Sequence, residues 1–408
     1  MLFLNNFHYL RGGSERVLFE EMRILREAGH EVAIYSRKHE KNEPAEFVGF
    51  FPPPIDTGRL GISTGTLRTV RELIYSRPAR LGLREVIKRF RPDIAHAHNI
   101  YGRLSLSVLD ELKASGVPII LTLHDLKLLC PSYLMIRQGR VCEQCKGHRY
   151  YNAVRTRCHK GSYAASAVYA LESWLNNVLG RYHSVGCFVA PSRFLRDKCV
   201  EYGWDSGKIA YIPNFIDVAL KPEFPAGGEY LLYIGRLSGE KGVGTLLQAY
   251  RSLKNQIPLK IVGDGPERED LERNARIAES RVTFTGYLSG TALTDELLGA
   301  KGIVMPSEWY ENAPLSLLEA FAYHKPVIGA RIGGIPEMIE DGSNGYLFEP
   351  GNAADLEAKL ELFLNLPEQK VLEMGKAARK KVENEYNAET HYERLISVYR
   401  NVMGKACA

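Results

Sequence analysis

The sequence alternates short apolar segments with helix-like segments, and it does so twice along the chain. In the second half, apolar runs recur at 230–236, 259–264, 282–286, 302–307, 326–331 and 345–349. The first half repeats the pattern at 2–7, 31–36, 93–98, 118–124, 186–192 and 208–214. Strands that are apolar throughout are buried on both faces, so the pattern predicts an α/β fold with parallel sheets covered by helices.

Chain length and linker composition predict two domains. A chain of 408 residues is too long for one ordinary core, and residues 215–229 are rich in proline and glycine. We therefore predict an N-terminal domain at 1–214 and a C-terminal domain at 225–387, each doubly wound like a Rossmann domain and facing the other across a cleft. A last helix at 388–408 is expected to pack back on the first domain. Ligands of such sheets bind at the carboxyl ends of the strands.

Composition and charge are those of a globular protein with an uneven surface. Hydrophobic residues make up 45% of the chain and charged residues 25%, and no apolar run is long enough to span a bilayer. No signal peptide precedes the first strand, so we expect a cytoplasmic protein. The net charge of +5 is concentrated in basic stretches at 68–91 and 137–160. These predict either an ordinary solvated surface or attraction to an anionic membrane or acceptor.

Four of the seven cysteines are clustered in an insert at 130–158. Cys142 and Cys145 form a Cys-x2-Cys pair, and Cys130 and Cys158 lie at nearly equal distances on either side. The spacing fits a tetrahedral structural zinc site with four thiolate ligands. An iron–sulfur cluster, a redox pair or unrelated buried thiols are the alternatives.

A candidate ligand-binding segment lies between an apolar strand and an apolar helix. Pro314 favours the first helical position, which makes Ala313 the N-cap. Alanine has no side-chain acceptor, so the amides of Leu315 and Ser316 are expected to await an anionic ligand. Glu311 is then expected in the loop above this helix N-terminus.

Glu319 lies within the same apolar helix and needs a partner there. A ligand hydroxyl would stabilise its carboxylate. The alternative is that Asn312 caps the helix and Glu319 points into water.

Two cations and a glycine follow the first strand of the second half. Gly235 and Arg236 come at the end of the strand, and Lys241 directly precedes the next helix. Two cations beside a helix N-terminus suit a diphosphate, although the Walker order of residues is absent. Gly263 and Gly265 form a second glycine turn, which either walls a nucleotide base or is simply a tight loop.

The first half offers glycines and histidines at strand ends. Gly12 and Gly13 open a helix and would let its backbone approach phosphates or an acceptor, without forming a Gly-x-Gly-x-x-Gly fingerprint. His98 and His124 each end a strand, where a histidine is either structural or lines a ligand. No Ser-His-Asp arrangement or pair of acid/base carboxylates stands out, which argues against a hydrolase.

Together these motifs resemble the family 4 retaining glycosyltransferases, which have the GT-B fold of two Rossmann-like domains. The insert resembles that of a bacterial subgroup found among enzymes of cell-surface polysaccharide assembly. The motifs that support the resemblance follow the family's order from residue 5 to about 350. They are Gly12-Gly13, His-Ala-His98, Gly235-Arg-x4-Lys241, Gly263-x-Gly265-Pro and Glu311-x7-Glu319.

Two positions depart from the family's pattern. Asn312-Ala313-Pro314 stands where Gly-Phe-Gly is frequent, and Asn214-Phe215 stands where many members have Asn-Gly. The first departure bears on how backbone amides hold the sugar of the donor.

The resemblance implies a role for each candidate residue. Glu319 would hold the ribose of a UDP- or GDP-sugar donor, and Glu311 would contact the transferred sugar. Arg236 and Lys241 would neutralise the leaving diphosphate, so no cofactor is expected for catalysis, and His124 would line the donor sugar. The remaining contacts to the donor would come from Gly12, Gly13, Gly235, Gly263, Gly265, Asn312, Ala313, Pro314, Leu315, Ser316.

The predicted function is retaining transfer of a sugar from a nucleoside-diphosphate-sugar to a cell-surface polysaccharide or lipid-linked acceptor. The expected partners are the donor, the acceptor and an anionic surface at the inner face of the cell membrane, with no nucleic acid. A nucleotide-sugar epimerase of the same fold is one alternative. A zinc-bearing nucleotide-sugar sensor or interaction module is the other.

Overall fold

The chain forms two compact units. The structure is a computed structural model that describes residues 1–55, 64–218, 228–277 and 281–406. Most of the predicted linker at 215–229 lies outside these residues. The first unit comprises Met1–Met135, Cys142–Pro213 and His391–Ala408, and the second comprises Ile136–Val141 and Asn214–Thr390.

The first unit is built on a parallel sheet of six short, apolar strands. All three residues of its first strand are fully buried, as expected of a strand with helices on both faces. The strands of the N-terminal half, including the two of a small antiparallel hairpin, β5 and β6, are β1 (Leu2–Leu4), β2 (Ala33–Tyr35), β3 (Ala95–Ala97), β4 (Ile119–Thr122), β5 (Ile136–Arg137), β6 (Arg140–Val141), β7 (Cys187–Ala190) and β8 (Ile209–Tyr211).

The sheet order is β2-β1-β3-β4-β7-β8, so the chain crosses over on both sides of β1. Helices make the crossovers, and their apolar positions recur at helical spacing: Leu18, Met22 and Leu25 of the first helix are all buried. The helices of this half are α1 (Gly13–Glu27), α2 (Thr64–Ile74), α3 (Arg77–Phe90), α4 (Ser107–Ala114), α5 (Tyr151–Arg155), α6 (Tyr163–Val178) and α7 (Arg193–Glu201).

The second unit contains another parallel sheet of six strands, in the order β11-β10-β9-β12-β13-β14. Its core includes the fully buried Leu231, Ile261 and Phe321. The strands are β9 (Tyr230–Ile234), β10 (Leu259–Val262), β11 (Val282–Gly286), β12 (Ala300–Met305), β13 (Val327–Ala330) and β14 (Gly345–Phe348).

Helices connect these strands and end the chain. Two doubly wound parallel sheets are therefore present, as predicted. Among the described residues, no helix is long and apolar enough to cross a membrane. The helices of this half are α8 (Val243–Ser252), α9 (Arg268–Ile277), α10 (Gly290–Gly299), α11 (Leu315–Ala322), α12 (Ile335–Met338), α13 (Ala353–Leu364), α14 (Glu368–Glu385) and α15 (Ala388–Ala406).

Candidate active site

The motifs of the second half meet at one edge of its sheet. Strands β10, β9 and β12 are neighbours and run parallel, so their carboxyl ends share an edge. Gly235 directly follows β9, Gly263 directly follows β10, and Glu311 lies in the segment between β12 and α11. This is the edge at which doubly wound sheets bind ligands.

Lys241 and Glu311 form an ion pair at this edge. The Lys241 Nζ lies 2.6 Å from Oε1 of Glu311, and the hydroxyl of Ser307 donates to the same oxygen at 2.8 Å. Burial opposes ionisation of Glu311, but the Lys241 ammonium and these hydrogen bonds outweigh it and hold the pKa of Glu311 below its ordinary value. The sequence predicted separate ligands for the two residues and missed their pairing.

The ammonium of Lys241 also lies 5.1 Å from the ring centroid of Trp309, a distance at which a cation–π attraction acts. The Lys241 side chain is half-buried, whereas Arg236, on the same connection after β9, is exposed. Within the described ranges no carboxylate pairs with Arg236. The edge thus has one fixed cation and one that is open to a ligand.

The N-cap residue of α11 has no side-chain acceptor. The helix begins at Leu315, and Pro314 rather than the predicted Ala313 is its N-cap, because the backbone of Pro314 is still extended. Asn312 lies two positions earlier, so the alternative in which Asn312 is the N-cap is wrong. Ser316 is half-buried in the first turn. The amides of this turn are therefore available to an anion.

Glu319 is buried, with only 8% of its surface exposed, so it does not point into water. It lies one turn further along α11 than the uncapped end. Just before the helix, the side-chain amide of Asn214 donates to the carbonyl of Ala313 at 2.9 Å. Asn214, which agrees with the first residue of the family's Asn-Gly, thus holds the loop that leads into α11.

The glycines at the strand ends allow neighbouring backbone segments to approach each other closely. Gly263 has a φ of +143°, and a Cβ there would overlap the carbonyl oxygen of Gly235. A Cβ at Gly265 would likewise overlap the carbonyl of Leu237. The two loops therefore pack directly on each other, which favours the tight-loop interpretation of Gly263 and Gly265.

A further glycine, which the sequence analysis missed, supports Glu311. Gly333 follows β13 with a φ of +61°, and a Cβ there would overlap the carbonyl oxygen of Glu311. The amide of Gly334 donates to that oxygen at 2.8 Å. In the sequence, the pair Gly333-Gly334 closely follows the predicted strand at 326–331, and this pair could have identified the position.

In the first unit, the predicted glycines and histidines lie in two places. Gly12 is the N-cap of α1, which no side chain caps, and Gly13 is exposed at its first turn. His124 follows β4 and is partly exposed, and its Nε2 lies 2.8 Å from Nδ1 of the buried His98. Burial, with the charge of His98 adding to it, lowers the pKa of His124 to about 3, so the ring is neutral at neutral pH.

A buried carboxylate orients this histidine pair, and the sequence analysis missed it. Glu21 on α1 accepts a hydrogen bond from Nε2 of His391 on α15 at 3.1 Å. Its other oxygen lies 3.4 Å from Nε2 of His98 and 3.5 Å from Nδ1 of His96. Helices α1 and α15 and the end of β3 are thereby held together around one carboxylate.

The same cluster is a hydrogen-bonding network more than a metal site. In the described part of the chain, Glu21, His96 and His98 come close enough to share a metal ion. However, both ring nitrogens of His96 already have partners at 2.7 Å, the hydroxyls of Tyr399 and Thr122. Coordination of a metal would break one of these hydrogen bonds.

Two of the four cysteines of the insert pack in a small core, and the other two are near enough to influence the titration of Cys145. Cys145 packs with Tyr150 and Ala153, and Cys158 packs against the same residues. Burial and the charges of the other three thiols raise the pKa of Cys145 to about 12. Across the described ranges, the four sulfur atoms supply no set of three within 4.8 Å of one another. The four sulfur atoms are therefore too far apart for a closed tetrahedral metal site.

Two family models match the chain. The model described as Glycosyl transferases group 1 matches residues 219–381, the unit that carries the ion pair. The model described as Glycosyltransferase Family 4 matches residues 11–220, which is more than half of the chain. The chain belongs to glycosyltransferase family 4. It is therefore an enzyme, a glycosyltransferase of the hexosyltransferase class.

Individual relatives agree with this assignment. A sulfoquinovosyl transferase of Arabidopsis thaliana is 26% identical over 407 residues, which cover 92% of this chain and 68% of the relative. An amylovoran biosynthesis glycosyltransferase of Erwinia amylovora is 33% identical over 182 residues, covering 41% of this chain and 44% of the relative.

A solved structure of the Anabaena protein HepE in complex with UDP and glucose is similar in fold. It has a TM-score of 0.69 and 17% sequence identity, and the likeness covers 98% of this chain and 99% of that one. With the two Rossmann-like sheets, this likeness confirms the predicted GT-B fold class.

Proposed function

We propose that this glycosyltransferase moves a sugar, with retention, from a UDP- or GDP-sugar to a cell-surface polysaccharide or lipid-linked acceptor. The observation that carries the proposal is the Lys241–Glu311 ion pair beside the uncapped N-terminus of α11. An anion-binding helix end, a fixed cation and an exposed cation at adjacent strand ends suit the diphosphate of such a donor.

Each residue at this edge has a role in the proposal. Arg236, Lys241 and the amides of Leu315 and Ser316 neutralise the diphosphate as the glycosidic bond breaks. Because these charges are supplied by the chain, the proposed chemistry needs no catalytic metal. Glu319 accepts hydrogen bonds from the ribose hydroxyls.

Glu311 binds hydroxyls of the transferred sugar through Oε2, the carboxylate oxygen that does not pair with Lys241. Gly263 and Gly265 shape the loop beside the nucleotide. Gly235 belongs to the same loop pair, and Asn312, Ala313 and Pro314 set the entry to α11.

The first unit is proposed to bind the acceptor. The backbone at Gly12 and Gly13 approaches the diphosphate, and His124 lines the donor sugar as a neutral hydrogen-bonding group. The Erwinia relative is named for amylovoran biosynthesis, which supports a polysaccharide or lipid-linked acceptor. An acceptor of this kind places the enzyme at the inner, anionic face of the cell membrane.

The donor class can be tested by thermal shift against a panel of nucleoside diphosphates and their sugars. We expect one nucleotide to raise the melting temperature selectively, because it binds only the folded state. Arg236→Ala should abolish the shift. Arg273→Ala, which removes an exposed arginine paired with Asp270 on α9, should retain it. Equal shifts with every nucleotide, or none with any, would contradict the proposal.

A turnover assay separates transfer from epimerisation. The proposed transferase needs an acceptor to convert its donor into a glycosylated product. Conversion of the nucleotide-sugar into an isomeric nucleotide-sugar without any acceptor would instead favour the epimerase.

We also propose that the insert binds a structural zinc ion through Cys130, Cys142, Cys145 and Cys158. The proposal rests on the spacing of the four cysteines in the sequence, on the packing of Cys145 and Cys158 in one small core, and on the influence of the other three cysteines on the titration of Cys145. Since the sulfur atoms are not within tetrahedral spacing, metal binding must draw them together. Metal analysis of protein purified without an affinity tag should give about one zinc per chain, and Cys145→Ser should lose it. Cys199→Ser, a buried cysteine outside the insert, is the matched control.

A further inference from the structure

Helix α6 is amphipathic with its polar side turned inward. Glu172 is buried and pairs with the buried Lys127, whose Nζ lies 2.7 Å from Oε2. Asn176 donates to the other oxygen of Glu172 at 2.6 Å, and Lys127 also donates to Ser173 at 3.3 Å. These charged and polar contacts, rather than apolar packing alone, attach α6 to the first unit.

The outward side of the same helix is apolar. At the 100° turn per residue of a helix, Tyr163, Leu171, Trp174 and Val178 lie within about 80° of one another. Together with Leu179 at the helix end, these side chains are 45–60% exposed. Contiguous exposed apolar side chains of this size are characteristic of a binding surface.

Positive charge lies beside this apolar stripe. Between residues 146 and 184 the chain has six lysines and arginines and a single carboxylate, the buried Glu172. Two of the six cations, Lys146 and Arg181, pair with carboxylates outside this segment. Arg155, Arg157 and Lys160 are exposed on α5 and the turn before α6, and α5 packs against α6. The guanidinium of Arg157 lies 5.0 Å from the ring centroid of Tyr163. Arg157 therefore joins the exposed cations of this segment to the apolar stripe.

The other basic stretch, at 68–91, does not offer such a surface. Arg80 and Arg84 both pair with the buried Glu111, at 2.7 and 2.6 Å. Lys88 and Arg89 pair with Glu85. Most of its positive charge is balanced within the unit, as expected of an ordinary solvated surface.

We propose that the outward face of α6, with the cations of α5, docks on a bilayer that contains anionic phospholipids. The inference deepens the proposed function, since it rests on a lipid-linked or membrane-proximal acceptor. Trp174 and Tyr163 suit the polar–apolar boundary of a bilayer, and Leu171 and Val178 enter its apolar region. Arg155, Arg157 and Lys160 contact the lipid phosphates. A second copy of this face would bring the same cations together, which disfavours self-association.

The test is co-sedimentation with vesicles of phosphatidylcholine alone or of equal parts phosphatidylcholine and phosphatidylglycerol. The full chain should bind the anionic vesicles and should bind them more weakly at high salt. Leu171→Ser combined with Trp174→Ser should weaken the binding about tenfold or more, since each side chain loses its burial in the bilayer. Val200→Ser, an equally exposed apolar residue on α7 (40% exposed), should change nothing.

Each other outcome overturns the inference. No binding to anionic vesicles at low salt would exclude the membrane as the partner of this face. Full binding by the double variant would show that another surface of the protein binds the vesicles. A dimer of the native chain that the double variant abolishes would assign the face to a second copy. Nucleotide-induced thermal shifts of the same variants report on the donor site alone, so loss of vesicle binding is distinguishable from failure of the proposed function.

Discussion

Lys241→Ala should lower kcat/KM for sugar transfer by on the order of 10²–10³-fold, the usual effect of removing one preorganised charge from a transition state. The substitution removes the ammonium that lies 2.6 Å from Glu311. It also leaves Glu311 as a buried carboxylate without its cation, which raises the pKa of that group relative to the native protein. Steady-state kinetics with the donor found by thermal shift would measure the effect.

A matched control exists in the same unit. Lys260 on β10 forms an ion pair with Glu296 at 2.7 Å, in similar partial burial but away from the strand ends. Lys260→Ala should therefore leave turnover nearly unchanged. If Lys241→Ala remained folded and turned over donor at a normal rate, Lys241 would have no role at the diphosphate.

The double variant Lys241→Ala with Glu311→Gln separates stability from catalysis. Replacing the carboxylate by an amide removes the buried unpaired charge, so the melting temperature should recover relative to Lys241→Ala. Turnover should stay low, because the cation at the diphosphate is still missing. Recovery of turnover in the double variant would show that the loss came from the unpaired Glu311.

Glu21→Gln should destabilise the first unit by about 2–4 kcal/mol, since a buried, charge-assisted hydrogen-bond acceptor is lost. The substitution keeps the size of the side chain but presents an N–H group where Nε2 of His391 donates to the carboxylate, and it removes the negative charge that lies 3.4 Å from Nε2 of His98. Hydrogen exchange of the amides in α1 and β3 would report the change in the free energy of local unfolding.

The neighbouring residue is a matched control for this change. Glu20 is 37% exposed and pairs with Arg23 on the same helix. Surface ion pairs contribute about 0–1 kcal/mol, so Glu20→Gln should be close to native. Equal effects of the two substitutions would contradict the structural role of Glu21.

The effect of Glu21→Gln should also depend on pH in a definite direction. Burial opposes ionisation of Glu21, but the surrounding histidines outweigh it and hold its pKa well below the ordinary value. A carboxyl group with a depressed folded-state pKa stabilises the protein above its unfolded pKa, and this stabilisation is lost as pH falls through the folded pKa. The difference between native and variant proteins should therefore shrink on acidification below about 4.5.

Local patterns of the sequence were sufficient to predict the architecture. The apolar runs predicted all twelve strands of the two parallel sheets, because strands that are buried on both faces are mostly apolar. The rule that ligands bind at strand ends then brought Gly235, Gly263 and Glu311 to one edge before any distance was known. The antiparallel hairpin β5–β6 was missed, since each of its strands has only two residues.

Contacts between residues that lie far apart in the sequence could not be predicted from the sequence alone. Glu21 is separated by 370 positions from His391, and Lys241 by 70 positions from Glu311. Helical spacing places Glu21 on the apolar face of α1, between Val17 and Leu25, but it does not name the histidines that Glu21 meets there. The inward polar side of α6 contradicts the usual expectation for an amphipathic helix. Those arrangements depend on which helix faces meet in the folded unit.

The sequence by itself determined the α/β class, the strand ends at which chemistry is expected and the resemblance to family 4. These follow from hydrophobic periodicity and short motifs, which act over a few residues. Only the tertiary structure decided that Lys241 neutralises Glu311, that Glu319 is buried and that α6 exposes its apolar side. Those facts depend on distances between elements, and a buried charge selects its partner from whatever the fold brings within hydrogen-bonding distance.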